Sequence, residues 1–162
     1  MDTAPFDAYR DHVRGAWIDE NDHMNVGYYG VVFDAATDAW LDHVGLDGPF
    51  RAAHGATTFT LESHMLYLRE VLLGAPLRFT TQLLAFDEKR IHYVHAMYHA
   101  DEGYLASTCE LMSLHVSRET RRAAPLHASI QARLERLMDA HAKLERPPQV
   151  GRVMGVRSGR AV

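Results

Sequence analysis

Acidic, amide and imidazole side chains crowd into one short stretch near the start of the chain. Residues 19–25 read Asp-Glu-Asn-Asp-His-Met-Asn, and a helical pattern follows them. A helix start needs one capping side chain, and Asn25 is placed to supply it. Asp19 is then either an ordinary turn acid or a carboxylate that attacks an electrophile or activates water. The positive end of the helix could stabilise charge that develops on a nearby oxygen.

A second ionisable pair, Glu62 and His64, lies in a segment with the alternating pattern of a strand. Residues two apart share one face of a regular strand. We expect both to lie opposite the apolar residues Phe59, Leu61 and Met65. That face is either polar and solvated, or it carries a second carboxylate of a binding site.

The eleven histidines raise the question of a metal site. His92 and His95 fall on one expected strand with His99, and the first two should point to opposite faces. The chain has no HExxH motif and no cysteine cluster, so no metal site is predicted. A GxSxG motif is also absent, which leaves a serine nucleophile unsupported.

A helix between Val26 and Gly45 must position the polar stretch. Apolar residues recur there at helical spacing, with three aspartates on the opposite side. Asn25 is the expected N-cap and Gly45 the expected C-cap. The predicted buried residues are Tyr29, Val32, Phe33, Ala36, Trp40 and Val44, and the exposed acids are Asp34, Asp38 and Asp42.

Extended segments surround this helix. One short strand is expected within residues 8–18, and four more within residues 57–71, 75–86, 90–100 and 103–117. Short, turn-like links between the four predict an antiparallel meander, and the stretch before them, residues 46–56, is interpreted as a plain connection. The predicted fold is therefore α+β, with a five-stranded antiparallel sheet wrapped around the long helix.

The C-terminal part divides in two. Residues 124–146 have helical spacing, and Pro147 and Pro148 should end that helix. We therefore predict a single domain over residues 1–146 and a flexible Gly- and Arg-rich tail over residues 147–162.

This order of elements, with its Asp-x-x-x-His-x-Asn turn, resembles the hotdog-fold acyl-CoA thioesterases of the 4-hydroxybenzoyl-CoA thioesterase type. Three further pieces, DAATDAW at 34–40, YLRE at 67–70 and DEKRIH at 87–92, are similar to a narrower group, the betainyl-CoA thioesterases of bacterial carnitine degradation. The resemblance covers residues 8–125. The family has glycine where this chain has Asp22, and we expect the turn to survive because aspartate tolerates positive φ better than most residues.

The resemblance implies an enzyme that hydrolyses a small acyl-CoA, with betainyl-CoA as the leading substrate and no cofactor, since CoA is part of the substrate. Asp19 would attack the thioester or act as general base, and His23 and Asn25 would position the turn or the thioester. The simpler alternatives are that Asn25 only caps the helix and that His23 only holds the loop.

Substrate binding adds further candidates. A trimethylammonium acyl group favours a carboxylate together with aromatic faces. The candidates for that role are Trp17, Tyr28, Glu62, His64 and Tyr67. Candidates for the CoA phosphates are Lys89, Arg90, Arg118, Arg121 and Arg122, although any of them could be a solvated turn residue.

Composition limits the partners. The chain has 162 residues, a net charge of −4 and one cysteine, so it lacks an overall basic footprint for nucleic acid and cannot form an internal disulfide. No signal-peptide pattern and no run of 18 apolar residues occur, so we expect a cytoplasmic protein that does not enter a membrane. The resemblance implies a homodimer or homotetramer with its site at a subunit interface.

Two rival functions stay open from the sequence. A hotdog enoyl-CoA hydratase usually has Asn-Pro before the histidine, whereas Asn21 and Asp22 precede His23 here. A non-catalytic acyl-CoA-binding subunit would bind ligand without turnover.

Overall fold

The computed structural model describes residues 4–156. Its longest helix, α1, runs from Val26 to Val44, as predicted. The Asn25 side chain accepts a hydrogen bond from the Gly27 amide at 3.0 Å and caps the start. Gly45 ends the helix in the left-handed conformation, at φ 98°. The predicted apolar stripe is buried, and the three aspartates lie on the exposed side.

One five-stranded antiparallel sheet wraps around α1, which confirms the predicted α+β architecture. Its strands in spatial order are β1-β3-β4-β5-β2. Their bounds are β1 Arg10–His12, β2 Ala56–Tyr67, β3 Pro76–Phe86, β4 Arg90–His99 and β5 Leu105–Ser117. The inner face of the sheet packs on α1 and forms one hydrophobic core with it.

The predicted four-strand meander is wrong for β2, which pairs with β5 rather than with β3. Residues 68–75 do not form a hairpin because their backbone bonds to other parts of the chain. The Val71 carbonyl accepts from the Met24 amide at 3.0 Å, and the Ala75 carbonyl accepts from the Val13 amide at 3.0 Å. The link therefore carries the chain from the edge strand β2 to β3, which lies next to β1 at the other edge of the sheet.

Two local predictions also need correction. The strand expected within residues 8–18 is only three residues long, and a short 3₁₀ turn, Gly15–Trp17, follows it. The connection expected at residues 46–56 contains a helix, α2, from Gly48 to His54. Gly and Pro suggested a loop, but proline is well tolerated in the first turn of a helix, and Asp47 caps it by accepting from the Phe50 amide at 2.8 Å.

A β-bulge between Thr60 and Glu62 changes which residues of β2 share a face. Phe59 pairs with Leu114 and Glu62 with Met112, so both lie on the outer face of the sheet. The prediction that Glu62 lies opposite Phe59 is therefore wrong, because one inserted residue shifts the alternation.

A buried histidine of the sheet, His95, forms a hydrogen bond with helix α1. His95 donates from Nε2 to Thr37 Oγ1 at 3.0 Å, because the Thr37 hydroxyl already donates to the Phe33 carbonyl at 2.9 Å. The Thr81 hydroxyl then donates to His95 Nδ1 at 2.8 Å. Complete burial lowers the pKa of His95 to about 3. The imidazole is therefore neutral, with both nitrogens satisfied.

The last helix, α3, runs from Ala128 to His141 and ends before Pro147 and Pro148. Beyond it, the Gly151 amide donates to Glu110 Oε2 at 2.7 Å, so this part of the predicted tail touches the sheet. The final part of that tail, residues 157–162, lies outside the described residues. Within residues 4–156, no helix is long and apolar enough to cross a membrane.

Candidate active site

The polar stretch folds into a tight turn directly before α1. The Asp19 amide donates to the His23 carbonyl at 3.2 Å, and the Asp22 amide donates to the Asp19 carbonyl at 3.1 Å. Asp22 has φ 62°, the left-handed conformation that glycine adopts most easily. Asp22 thus adopts the left-handed conformation expected of the family's glycine, and the turn forms as predicted.

Neighbouring segments fix this turn on both sides. The Asn25 amide donates to the Trp17 carbonyl at 2.8 Å, and the Met24 amide donates to the Val71 carbonyl at 3.0 Å. Met24 is 1% exposed and Trp17 is 6% exposed, so each anchors the turn in the core. The polar side chains between these anchors are held at the N-terminal end of α1.

The Asp19 carboxylate is supported by donors from its own turn. The Asn21 amide donates to Oδ1 at 2.9 Å and the Asn25 side-chain amide donates to Oδ2 at 3.3 Å, while His23 Nδ1 lies 4.0 Å from Oδ1. These groups, the Asn21 amide first, lower the pKa of Asp19. The Asp19 side chain is 17% exposed. An ionised carboxylate therefore stands at the positive end of a helix at neutral pH.

His23 and Asn25 have the structural roles that the sequence left open beside the catalytic ones. Asn25 caps α1 and contacts Asp19 with the same side chain. His23 donates from Nδ1 to the Met24 carbonyl at 3.3 Å, which leaves Nε2 as its acceptor nitrogen. Neither structural role prevents contact with a substrate, since His23 also lines a cavity.

This cavity, about 270 Å³, opens between the start of α1 and the end of β2. Tyr29 and Tyr67 form part of its wall, with the two rings edge to face at 5.0 Å. Next to the same turn, Trp17 and Tyr28 stack with ring centroids 5.8 Å apart. The full lining is His23, Met24, Val26, Tyr29, Tyr67, Leu68, Arg69 and Glu70. The site therefore offers aromatic walls beside the Asp19 turn.

Of the predicted substrate-binding residues, Trp17, Tyr28 and Tyr67 lie near this turn, whereas Glu62 and His64 do not. The latter two line a separate cavity of about 360 Å³ on the outer face of the sheet. His92 and Glu110 share that cavity, with His92 Nε2 2.8 Å from Glu110 Oε1.

The predicted phosphate-binding residues also lie away from Asp19 within one protomer. Lys89 contacts Glu88 at 3.0 Å, and Arg90 pairs with Asp87, which lowers the pKa of Asp87 to about 2. These residues lie at the end of the sheet where β2 begins, together with Arg118, Arg121 and Arg122. Tyr67 lies at the other end of the twelve-residue strand β2. At ~3.3 Å per residue, the two ends are roughly 36 Å apart.

Sequence reasoning missed three polar residues of the cavity wall. Tyr29 was assigned to the buried stripe of α1, and Arg69 and Glu70 were noted only within the YLRE motif. For Arg69 and Glu70, the position just after a strand was the available signal, because loops at strand ends often carry functional groups. His92 and His95 point to opposite faces, as predicted. Among residues 4–156, no three His, Cys, Asp or Glu side chains are grouped so as to hold a metal ion.

Comparison with known sequences identifies relatives that are thioesterases. A family model for the thioesterase-like superfamily matches residues 13–134. A betainyl-CoA thioesterase from Pseudomonas aeruginosa is 43% identical over 148 residues, which cover 91% of this chain and 93% of the relative. A fused L-carnitine dehydrogenase/betainyl-CoA thioesterase from Rhizobium meliloti is 38% identical over 88% of this chain, and the match spans 29% of that longer protein.

Solved structures agree with the fold. A Staphylococcus aureus protein in complex with CoA has a TM-score of 0.86 at 27% identity, with 96% of this chain and 100% of that chain covered. A putative thioesterase from Pseudomonas putida has a TM-score of 0.82 at 32% identity, with coverage of 97% and 100%. With an ionised aspartate at the start of a helix inside a curled antiparallel sheet, the chain belongs to the thioesterase-like superfamily and is a thioesterase of the hotdog fold.

Proposed function

We propose that this thioesterase hydrolyses betainyl-CoA to free betaine and CoA, with Asp19 as the catalytic carboxylate. One observation carries the catalytic part of the proposal: Asp19 is ionised, partly exposed and held at the N-terminus of α1. A thioester carbonyl placed there would meet a carboxylate on one side and the positive end of a helix on the other.

Two routes use the same carboxylate. In the first, an Asp19 oxygen attacks the carbonyl carbon, the carbon–sulfur bond breaks, and water then cleaves the resulting anhydride. In the second, Asp19 takes a proton from water, and the water oxygen attacks as the thiolate leaves. In both, the carbonyl oxygen gains negative charge, which the positive end of α1 stabilises. Asn25 and His23 position the carboxylate in either route.

The acyl group is proposed from two kinds of support. The Pseudomonas aeruginosa and Rhizobium meliloti relatives are named for betainyl-CoA hydrolysis. The cavity next to Asp19 has aromatic walls and a carboxylate, which suit a cationic acyl group better than a plain hydrocarbon one.

We further propose that the active unit is a homo-oligomer in which two β2 edges pair antiparallel. β2 is a long edge strand, and Leu61 and Tyr67 on it are 55% and 51% exposed. Unpaired edges of this kind are usually covered. Antiparallel pairing would bring the basic end of one protomer, with Arg118, Arg121 and Arg122, next to the Asp19 turn of the other. Both ends of an acyl-CoA could then be held. The proposed enzyme needs no cofactor and acts in the cytoplasm, as the sequence leads us to expect.

The test is a panel of acyl-CoA substrates assayed for released thiol. We expect the highest kcat/KM for betainyl-CoA, with free CoA formed in equal amount to betaine. An enoyl-CoA that loses its enoyl absorbance without thiol release would favour a hydratase. Tight acyl-CoA binding without turnover at high enzyme concentration would contradict the catalytic proposal.

A further inference from the structure

The cavity beside α1 contains a carboxylate at the point where the chain leaves β2. Glu70 lines the cavity with Tyr29 and Tyr67. Tyr29 is 4% exposed, and burial is the main cause that raises its pKa. The nearby charges of Tyr104, Tyr67 and Glu70 raise it further. The Glu70 carboxylate is thus close enough to the Tyr29 phenol for its charge to act there.

The cationic neighbour of Glu70 is engaged elsewhere. The Arg69 guanidinium lies 3.8 Å from the centre of the Tyr104 ring, and its Nη2 lies 3.8 Å from Glu102 Oε2. The Tyr104 hydroxyl donates to the Glu70 backbone carbonyl at 3.0 Å, which fixes the local backbone. Within residues 4–156, Glu70 forms no ion pair. The cavity therefore has an exposed carboxylate, Glu70, that is not in an ion pair, in a wall that also contains the Tyr29 and Tyr67 rings.

We infer that Glu70, Tyr29 and Tyr67 form the recognition site for the cationic end of the acyl group, an inference that rests on the proposed betainyl-CoA activity. A quaternary ammonium has no N–H group, so hydrogen bonds cannot select it. Negative charge and aromatic rings can, because both attract a cation without needing a donor. Glu70 supplies the charge, and the two tyrosines supply the rings.

The position relative to Asp19 fits a very short acyl chain. Betainyl-CoA has one methylene between the thioester carbonyl and the ammonium, so the cation site must adjoin the catalytic carboxylate. His23 lines the same cavity, and its Nδ1 is 4.0 Å from Asp19 Oδ1. Glu62, the carboxylate favoured from sequence, lies instead on the outer face of the sheet.

The experiment compares betainyl-CoA with 3,3-dimethylbutyryl-CoA, an uncharged substrate of the same shape. Glu70→Gln keeps the shape of the side chain and removes its charge. We expect kcat/KM for betainyl-CoA to fall roughly five- to thirtyfold, the effect of losing a partly desolvated cation contact, and kcat/KM for the neutral substrate to stay within about twofold. Glu135→Gln, on the exposed side of α3, is the matched control and should change neither value.

Two variants of Tyr67 test the aromatic contribution. Tyr67→Phe keeps a ring face and should retain the preference for the cation, whereas Tyr67→Leu should lose part of it. Equal losses on both substrates in Glu70→Gln, or no loss on either, would overturn the inference. So would a selective loss in Glu62→Gln that Glu70→Gln does not show.

The outcomes separate this inference from the proposed function. If wild-type protein prefers betainyl-CoA and Glu70→Gln leaves that preference unchanged, only the assignment of Glu70 fails. If wild-type protein prefers the neutral substrate, the betainyl-CoA proposal fails and the cation site fails with it. Thermal unfolding of each variant shows whether the fold is intact.

Discussion

The Asn25 side chain joins Asp19 to the start of helix α1. Its amide nitrogen donates to Asp19 Oδ2 at 3.3 Å, while its carbonyl oxygen accepts from the Gly27 amide at 3.0 Å. One residue therefore caps the helix and supports the carboxylate in front of it. Any change in the cap also changes the environment of Asp19.

Asn25→Ala and Asn25→Asp should separate these two roles. The alanine variant loses the cap and should lose about 1 kcal/mol of unfolding free energy along with activity. The aspartate variant keeps a capping oxygen but places a second negative charge beside Asp19, so it should keep its stability and lose activity. Chemical denaturation and thiol release measure the two effects. Equal activity in the aspartate variant and the wild type would contradict the role of the Asn25 amide.

Asp19→Asn should fold normally and lose at least about a hundredfold in kcat, because the amide can neither attack nor take a proton. The wild-type rate should depend on pH in a defined direction. Because the pKa of Asp19 is lowered below 3.8, its carboxylate stays ionised through mildly acidic pH, and its contribution disappears only as pH falls through the lowered value. A variant within about threefold of wild type would show that Asp19 is an ordinary turn acid.

Asp22 provides a test of the turn itself. At φ 62°, glycine should be accepted with little change in stability or activity, whereas a β-branched valine should be strained. We expect Asp22→Val to lose on the order of 1–3 kcal/mol of unfolding free energy and much of the activity. Denaturation curves of the two variants, measured side by side, decide this point. A valine variant as stable as the glycine variant would exclude strain at this position.

His95 should make stability depend on pH in the acidic range. Its pKa is about 3 in the folded protein and 6.5 for an ordinary histidine, so between these values only the unfolded chain takes up the proton. The contribution of His95 to the free energy of unfolding is therefore fully present above pH 6.5. It decreases as pH falls toward 3, at about 1.4 kcal/mol per pH unit. His95→Gln should be less stable at neutral pH but should lack this part of the slope. Urea unfolding measures the free energy of unfolding of both proteins between pH 6 and 4.5. If it changed with pH equally in wild type and His95→Gln, His95 would not be the cause of the pH dependence.

Leu61→Arg should weaken association through the β2 edge. Leu61 is 55% exposed at the bulge, and a charge on an edge strand opposes pairing with another strand. Sedimentation should show an oligomer for wild type and a smaller species with lower activity for the variant. Glu135→Arg on α3 is the control. A fully active wild-type monomer would rule out a site shared between subunits.

The sequence by itself determined the local structure around the site. Apolar spacing specified α1 and its buried stripe, and the Asp-x-x-x-His-x-Asn turn identified Asp19, His23 and Asn25 as neighbours. These contacts join residues within seven positions of one another, so local geometry is enough to predict them.

Tertiary structure alone decided which distant residues share a surface. The bulge in β2 puts Phe59 on the same outer face as Glu62, and the backbone bonds of residues 68–75 bring Glu70 to the Asp19 side. Neither feature follows from hydrophobic alternation, because one inserted residue reverses the faces of a strand. The pairing of β2 with β5 likewise depends on contacts between segments about fifty residues apart, which no local pattern in the chain encodes.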